Sequence, residues 1–378
     1  MNKNAQKILV IVVFFWFAQY VYIPYQTPFL TSIQVSSSFI GIIIGTYGIS
    51  QMLLRLPVGL LADLKNRHKT LIIIGALTSG CASIFRFLFY NSYGFLIGNL
   101  FSGLASAMWI SFMILYLSYF ENQQSATARL TMCNNLGMLL GFITSTLTYD
   151  IVGMRITCLF SVISGCIAAF IATTLESVPV EEKKITIKEL LKVCLRPNLI
   201  VFSLFAIIQQ GVQMSTTMSY TTQIIKDMGA SSFMVGLSTI IYMFAAVLCA
   251  KLASTKYCTN LGPRVFVPTV FFTTGLYCLL VPQCSSVYTI YLLQLLPGLS
   301  TGFLYSYLTS EAMKGVPVEK KSTAMGFFQA VYALGMTFIP MICGSITATS
   351  SISTSYYFLM ALCFLSSILA FFYYRKYA

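Results

Sequence analysis

The sequence predicts an all-α polytopic membrane protein in which twelve transmembrane helices form two pseudo-symmetric six-helix bundles. Three observations predict this fold: an apolar composition, a regular succession of apolar segments, and basic residues gathered on one side. Of the 378 residues, 57% are hydrophobic and only 9% are charged, whereas soluble domains carry about 25% charged residues. The composition therefore excludes a soluble globular enzyme, and an aromatic content of 15% excludes a disordered chain.

Apolar segments long enough to cross a bilayer recur along the whole chain, since a spanning helix needs about 20 residues. The first segment follows Lys3 and Lys7 but lacks a small-residue cleavage site, and it is too long for a signal peptide. We therefore interpret it as a retained helix. The predicted spans, numbered 1 to 12 in chain order, cover residues 7–30, 38–62, 70–90, 93–119, 128–150, 154–175, 198–222, 231–253, 264–282, 287–311, 322–347 and 354–374.

The basic residues give this alternation an orientation. With the N-terminus inside, nineteen of the 23 Lys and Arg residues fall in inner segments. The outer loops hold only Arg155 and Lys226, and Arg55 and Arg86 lie within spans. Cytoplasmic loops carry such an excess of positive charge. We expect a plasma-membrane protein with both termini cytoplasmic. The net charge of +13 is then explained by this orientation and does not indicate a nucleic-acid partner.

One long charged loop divides the chain. We predict an N-terminal six-helix bundle over 1–175, a cytoplasmic linker over 176–197, and a C-terminal six-helix bundle over 198–378. Apolar residues interleaved with lysines predict a short amphipathic helix in the linker. At an offset of about 195 residues, Gly41 and Tyr47 of span 2 match Gly236 and Tyr242 of span 8, which favours a duplicated six-helix unit.

The inner loop after span 2 carries a recognisable motif. It reads GLLADLKNRHK over residues 59–69 and resembles the G-x-L-a-D-r-x-G-r-k motif between helices 2 and 3 of the major facilitator superfamily (MFS). Together with the twelve spans, the middle loop and the repeat, the resemblance covers essentially the whole chain. It implies that Gly59, Asp63 and Arg67 help lock the two halves together while the transporter is open outward.

Each residue of this motif also has a physical reason. A small residue such as Gly59 lets span 2 approach a partner helix closely. The negative charge of Asp63, at the membrane edge, needs a compensating positive charge or hydrogen-bond donor. Arg67, Arg129 at the start of span 5, or a helix N-terminus such as Ser322 at span 11 could each supply it.

The chain also departs from one branch of that family. Many proton-coupled drug exporters of this superfamily carry an Arg in helix 4, where this sequence has Asn99, and a Gly-Pro pair in helix 5, where it has Gly137 and Met138. Both departures weaken an assignment to drug–proton antiport.

Polar and aromatic side chains within the spans are the candidates for a substrate site. Transport sites of this plan lie near the midplane, and clustered amides and phenols in hydrocarbon indicate a wet cavity because each alone is costly there. For any one of them the alternative is an interhelical hydrogen bond or an interfacial aromatic belt. The substrate-binding candidates are Gln19, Tyr22, Gln26, Trp109, Asn134, Gln209, Gln213, Tyr242, Tyr305, Gln329 and Tyr332.

Charge within the spans is scarce. No acidic residue lies at a predicted midplane, and Asp150 and Glu311 are the nearest candidates for proton coupling. Arg86, in the outer part of span 3, is the one deep cation on that side. It could snorkel outward, the favoured interpretation, or it could contact an anionic substrate.

We therefore predict a secondary active transporter that moves a small organic solute by alternating access. The alternatives are a proton-coupled multidrug or metabolite exporter and, less favoured, a non-transporting membrane receptor. An enzyme is not expected, because His68 is the single histidine and the acids lie at the edges. Eleven scattered Cys offer no metal set, so we expect no metal, cofactor or catalytic residue. The expected partners are the substrate, a proton in the coupled case and the lipid bilayer, with a monomeric protein.

Overall fold

The computed structural model describes residues 3–65, 67–120, 123–176, 186–253 and 255–377. These residues are almost entirely helical and contain no β-strand. Eleven of their helices are long and apolar enough to cross a membrane. The predicted all-α polytopic membrane fold is therefore confirmed.

Several spans are interrupted, so that one span comprises more than one helix. Span 1 breaks at Val21 and Tyr22, two residues before Pro24, and span 4 breaks at Met108. Spans 7 and 10 each contain a π-helical segment, Thr216–Tyr220 and Ser300–Leu304. The α-helices run Lys3–Tyr20, Ile23–Ser32, Ser37–Lys65, His68–Leu88, Ser92–Ala107, Trp109–Leu117, Gln123–Thr173, Ile187–Leu191, Pro197–Ser215, Thr221–Asp227, Ser232–Ala253, Lys256–Leu280, Val287–Leu293, Leu295–Leu299, Tyr305–Met313, Lys321–Thr349 and Ile352–Tyr377.

The difference between eleven helices and twelve predicted spans comes from one helix. The apolar stretch Arg129–Thr173 is 45 residues long, about 68 Å at 1.5 Å per residue and about twice the bilayer core. Gly153 interrupts it with φ 68° and ψ −179°, a backbone conformation outside the helical range. The two parts on either side of Gly153 correspond to predicted spans 5 and 6.

The chain forms two compact units. The first contains Met1–Tyr22, Thr46–Ile200 and Gly315–Ala330, and the second contains Ile23–Gly45, Val201–Lys314 and Val331–Ala378. Each unit thus holds most of one predicted half together with a segment of the other half. The C-terminal part of span 1 and the start of span 2 belong to the second unit, whereas the beginning of span 11 belongs to the first.

Equivalent contacts recur within the two units. Tyr47 of span 2 hydrogen-bonds Ser106 of span 4, with 2.7 Å between the hydroxyl oxygens. In the second unit, Tyr242 of span 8 hydrogen-bonds Thr301 of span 10 at the same distance. Both partners are displaced by the same 195 positions, which supports the duplicated six-helix unit that the sequence pattern favours.

Part of the middle linker is helical. Thr186 caps the helix Ile187–Leu191 through a capping box with Glu189, and a 3₁₀ turn, Lys192–Leu195, follows. The hydrogen bonds from Thr186 hold the pKa of the exposed Glu189 carboxyl below its usual value. Residues 177–185 of the predicted linker lie outside the described residues.

Candidate functional site

A polar cluster around Arg86 lies in the first unit. Ser83 and Arg86 lie near one another on span 3, and the Arg86 stem lies against span 4 where Gly98 has no side chain. A Cβ on Gly98 would come within 2.8 Å of Arg86 Cγ and Nε. The glycine therefore gives the arginine stem room to lie flat against span 4.

The guanidinium of Arg86 has only neutral partners among the described residues. Nη1 donates to Ser83 Oγ at 2.9 Å, and Nη2 donates to Asn99 Oδ1 at 2.7 Å and to Ser102 Oγ at 2.8 Å. Its Cζ lies 3.9 Å from the centre of the Tyr22 ring, within the range of a cation–π interaction. Arg86 Nε is buried and finds no hydrogen-bond partner in the described part of the chain.

Arg86 does not snorkel. The sequence favoured an outward extension, but the side chain is 0% exposed because Ser83, Asn99 and Ser102 supply acceptors deep in the helix bundle. The alternative interpretation, contact with an anionic substrate, stays a prediction.

Two predicted binding candidates from span 1 belong to the same cluster. Gln19 Nε2 donates to the Ser102 carbonyl oxygen at 3.2 Å, and the Tyr22 hydroxyl lies 3.4 Å from Ser102 Oγ. The Gln19 Oε1 acceptor is buried without a described partner. Ser102 thus connects the amide, the phenol and the guanidinium.

A hydrogen-bonded chain of three glutamine amides and one tyrosine phenol lies in the second unit. Gln210 Nε2 donates to Gln209 Oε1 at 2.8 Å, Gln209 Nε2 to Gln213 Oε1 at 3.5 Å, and Gln213 Nε2 to the Tyr242 hydroxyl at 2.6 Å. Tyr242 in turn meets Thr301. Predicted candidates on spans 7 and 8 are therefore brought together, and Thr301 of span 10 is the last member of this chain of hydrogen bonds.

Both π-helical segments adjoin this chain of hydrogen bonds. Thr301 belongs to the segment Ser300–Leu304. The segment Thr216–Tyr220 begins three residues after Gln213, and Thr217 Oγ1 donates to the Gln213 carbonyl oxygen at 3.1 Å. Single-turn π-helical segments within α-helices occur frequently at functional sites.

The remaining candidates have varied surroundings. In the second unit, Tyr305 and Tyr332 meet edge to face with 6.3 Å between ring centres. In the first unit, Trp109 packs edge-on against Trp16 at 5.3 Å. Three candidates have a buried side-chain oxygen without a partner among the described residues: Gln26, Asn134 and Gln329.

Asp63 of the loop motif makes a long-range contact within the first unit. Asp63 Oδ2 accepts hydrogen bonds from the backbone N–H of Thr323 at 2.8 Å and from its hydroxyl at 2.7 Å. Thr323 lies in the first turn of the helix Lys321–Thr349. Of the three sources of compensation considered from the sequence, the helix N-terminus is therefore one that Asp63 uses.

Glycines let span 2 approach the beginning of span 11 at this point. A Cβ on Gly59 would lie 2.6 Å from the Ser322 carbonyl oxygen, and a Cβ on Gly326 would lie 2.6 Å from that of Arg55. The other two motif residues, Arg67 and Arg129, are exposed. Arg129 Cζ lies 5.8 Å from the centre of the Phe120 ring.

Several residues of these clusters were not among the sequence candidates. Ser83, Ser102 and Thr301 were missed because serine and threonine occur throughout these spans and satisfy themselves on helix carbonyls. The only sequence signal at Asn99 is its departure from the helix 4 pattern of the exporters. The one available signal was the 195-residue offset, which relates Thr301 to Ser106.

Comparisons with known proteins place these features in a family. The family model of the Major Facilitator Superfamily matches residues 8–257 and, again, residues 202–378. No curated protein sequence matches the chain. Its structure is similar to a crystal structure of the nucleoside transporter NupG, with a TM-score of 0.75, 15% identity and 99% of both chains covered. It is also similar to the POT family transporter PepTSo, with a TM-score of 0.80, 14% identity, and 100% of this chain and 98% of that chain covered.

Proposed function

This chain belongs to the major facilitator superfamily of secondary transporters, and we propose that its cargo is a small organic solute rich in hydrogen-bonding groups. Alternating access, which is typical of the superfamily, is the expected transport mechanism. The chain is an integral, multi-pass membrane protein and a transporter by family.

The observation that carries this proposal is the chain of side chains from Gln209 through Gln213 and Tyr242 to Thr301. Its members are neutral, and they offer both donors and acceptors. Two π-helical segments adjoin it. A solute with hydroxyl, amide or ring-nitrogen groups could exchange hydrogen bonds with such a chain, whereas an apolar solute would leave its polar groups unpaired.

The proposal is tested with a ligand screen followed by transport. Sugars, nucleosides, amino acids, organic anions and lipophilic cations are screened by thermal shift, because specific binding stabilises the folded state. Labelled uptake of the best ligand is then measured in proteoliposomes. We expect Gln213→Ala to raise KM about tenfold, the equivalent of one lost hydrogen bond of about 1.4 kcal/mol.

Gln283→Ala is the matched control. Gln283 is also a glutamine of the second unit, but its amide donates to the Leu279 carbonyl oxygen near the outer end of span 9. Its removal should leave KM unchanged. If no solute class stabilised the protein or crossed the membrane, with folding intact, the proposal would be wrong. Equal KM values for Gln213→Ala and wild type would remove the amide chain from the site.

We assign two further roles by proposal. Arg86 is proposed to contact an anionic or partly anionic group of the solute, because its charge meets only neutral groups among the described residues. Gly59, Asp63, Arg67 and Arg129 are proposed to act in the conformational cycle. The hydrogen bonds from Thr323 to Asp63 support that role.

Proton-coupled export is the second candidate function, and one observation favours it. Asn99 stands where proton-coupled exporters carry an arginine, and Arg86 from span 3 brings a guanidinium within 2.7 Å of Asn99 Oδ1. We further propose a monomer in the plasma membrane with cytoplasmic termini. The one-sided distribution of basic residues supports that orientation.

A further inference from the structure

A surface cleft lies between spans 9 and 12 in the second unit, and none of its lining residues belongs to the polar clusters described above. Its volume is about 450 Å³, and Arg264, Pro268, Phe371, Tyr374 and Arg375 are among the residues that line it. The helices Lys256–Leu280 and Ile352–Tyr377 pack along each other to form its walls. We call it the Arg264–Arg375 cleft.

The cleft is charged at the membrane edge and apolar further in. Arg264 lies near the start of the apolar stretch Asn260–Gln283, and Arg375 lies near the end of the stretch Ile352–Lys376. Pro268 and Phe371 are each four residues deeper along their helices, about 6 Å. Phe371 is 55% exposed, so its ring is available to an apolar ligand.

No carboxylate among the described residues pairs with either arginine of the cleft. Glu311, which interacts electrostatically with Tyr374, instead pairs with Lys314 at 3.9 Å. Two exposed guanidinium groups on one cleft therefore present a local positive charge. Guanidinium binds phosphate through paired hydrogen bonds.

Tyr374 supplies an independent indication of a ligand. Its side chain is 5% exposed, and its hydroxyl is buried without a hydrogen-bond partner among the described residues. A buried hydroxyl of this kind costs free energy unless an acceptor takes a hydrogen bond from it. In the cleft, a phosphate oxygen held by the arginines could do so.

We propose that the Arg264–Arg375 cleft binds an anionic phospholipid. Its phosphate lies between the two guanidinium groups, and an acyl chain lies along Pro268 and Phe371. Basic pockets between transmembrane helices on the cytoplasmic side bind anionic headgroups, and the charge distribution of the sequence assigns this end of the spans to that side. This site is separate from the proposed solute site.

Native mass spectrometry of the full chain in detergent tests the proposal, with dioleoyl phosphatidylglycerol and dioleoyl phosphatidylcholine as probes. We expect the anionic lipid to be retained in preference. Because a basic residue near an anionic surface contributes about fivefold in affinity, Arg264→Gln with Arg375→Gln should reduce retention roughly 25-fold. The control pair, Lys188→Gln with Lys192→Gln, removes two charges from the linker and should leave retention unchanged.

A charge-preserving pair separates lipid binding from misfolding. Arg264→Lys with Arg375→Lys should retain more phosphatidylglycerol than the glutamine pair, and both pairs should melt like wild type in zwitterionic detergent. Phosphatidylglycerol should raise the melting temperature of wild type, and inorganic phosphate at the same concentration should not. Equal retention of the two lipids, an equal loss in the linker control, or displacement of the lipid by inorganic phosphate would each overturn the proposal.

Discussion

Arg86 is the residue whose environment is most unusual for a membrane span. An ionised side chain within a bilayer is costly and normally pairs with another charge. Arg86 instead makes hydrogen bonds to Ser83, Asn99 and Ser102 and lies over the Tyr22 ring. The planar guanidinium suits this arrangement because its donors lie in a rigid fork, whereas an ammonium group could not reach all three acceptors.

We therefore expect Arg86→Lys to destabilise the protein although it preserves the charge. Losing one or two hydrogen bonds to a charged group costs about 1.5–3 kcal/mol each, which should lower the melting temperature by several degrees. Thermal unfolding in detergent measures this. The same change at Arg155, an exposed residue that donates to the Phe87 carbonyl oxygen, should have little effect.

The same variant tests the proposed anion contact. Uptake of a carboxylate-bearing solute should fall more than uptake of its primary amide, because only the carboxylate uses the guanidinium fork. Equal losses for the two solutes would show that Arg86 is a structural centre of the first unit. An unchanged melting temperature for Arg86→Lys would contradict the structural argument itself.

At the scale of elements, the contact between span 2 and span 11 combines packing with charge. Gly59 and Gly326 remove the side chains that would collide with the facing backbone. The Asp63 carboxylate can then accept a hydrogen bond from the backbone N–H of Thr323 in the first turn of span 11. A carboxylate at a helix N-terminus is stabilised both by hydrogen bonds and by the helix dipole.

Asp63→Asn should therefore slow transport more than it weakens binding. The amide keeps the shape and one acceptor but loses the charge, and we expect a roughly tenfold lower turnover, a change of about 1.4 kcal/mol. Proteoliposome flux gives the turnover, and thermal shift gives the solute affinity. Asp227→Asn is the control, because Asp227 accepts from Gln223 within one helix. A wild-type rate for Asp63→Asn would exclude Asp63 from the cycle.

The contact between Asp63 and Thr323 could be predicted from the sequence only in part. Motif and membrane position showed that Gly59 needs a close partner helix and that Asp63 needs a positive or hydrogen-bonding partner. Three partners for Asp63 remained open, because Asp63 and Thr323 are 260 positions apart and no periodicity relates them. Similarly, the break of span 1 follows from Pro24, whereas the π-helical segments of spans 7 and 10 leave no local composition signal.

For the whole molecule, apolar periodicity and charge placement predicted the membrane fold. A local feature explains why eleven apolar stretches correspond to twelve predicted spans, since Gly153 breaks Arg129–Thr173 without ending the run of helical hydrogen bonds. The repeat was also visible in sequence, and the matched Tyr47–Ser106 and Tyr242–Thr301 contacts support it. The repeat is not symmetric in its loops, because the position equivalent to Asp63 is Cys258.

The positions of the acidic residues bear on whether the whole molecule uses a pH gradient. The acids nearest to a coupling role, Asp150 and Glu311, lie near span ends and not at a predicted midplane, so a pH gradient has no mid-span carboxylate to act on. Alternating access should still exchange solute across the membrane. We therefore expect vesicles loaded with unlabelled solute to show a transient overshoot of labelled solute at equal pH, and a protonophore should leave it unchanged. Accumulation that requires an imposed pH gradient would instead establish proton coupling and favour the exporter function.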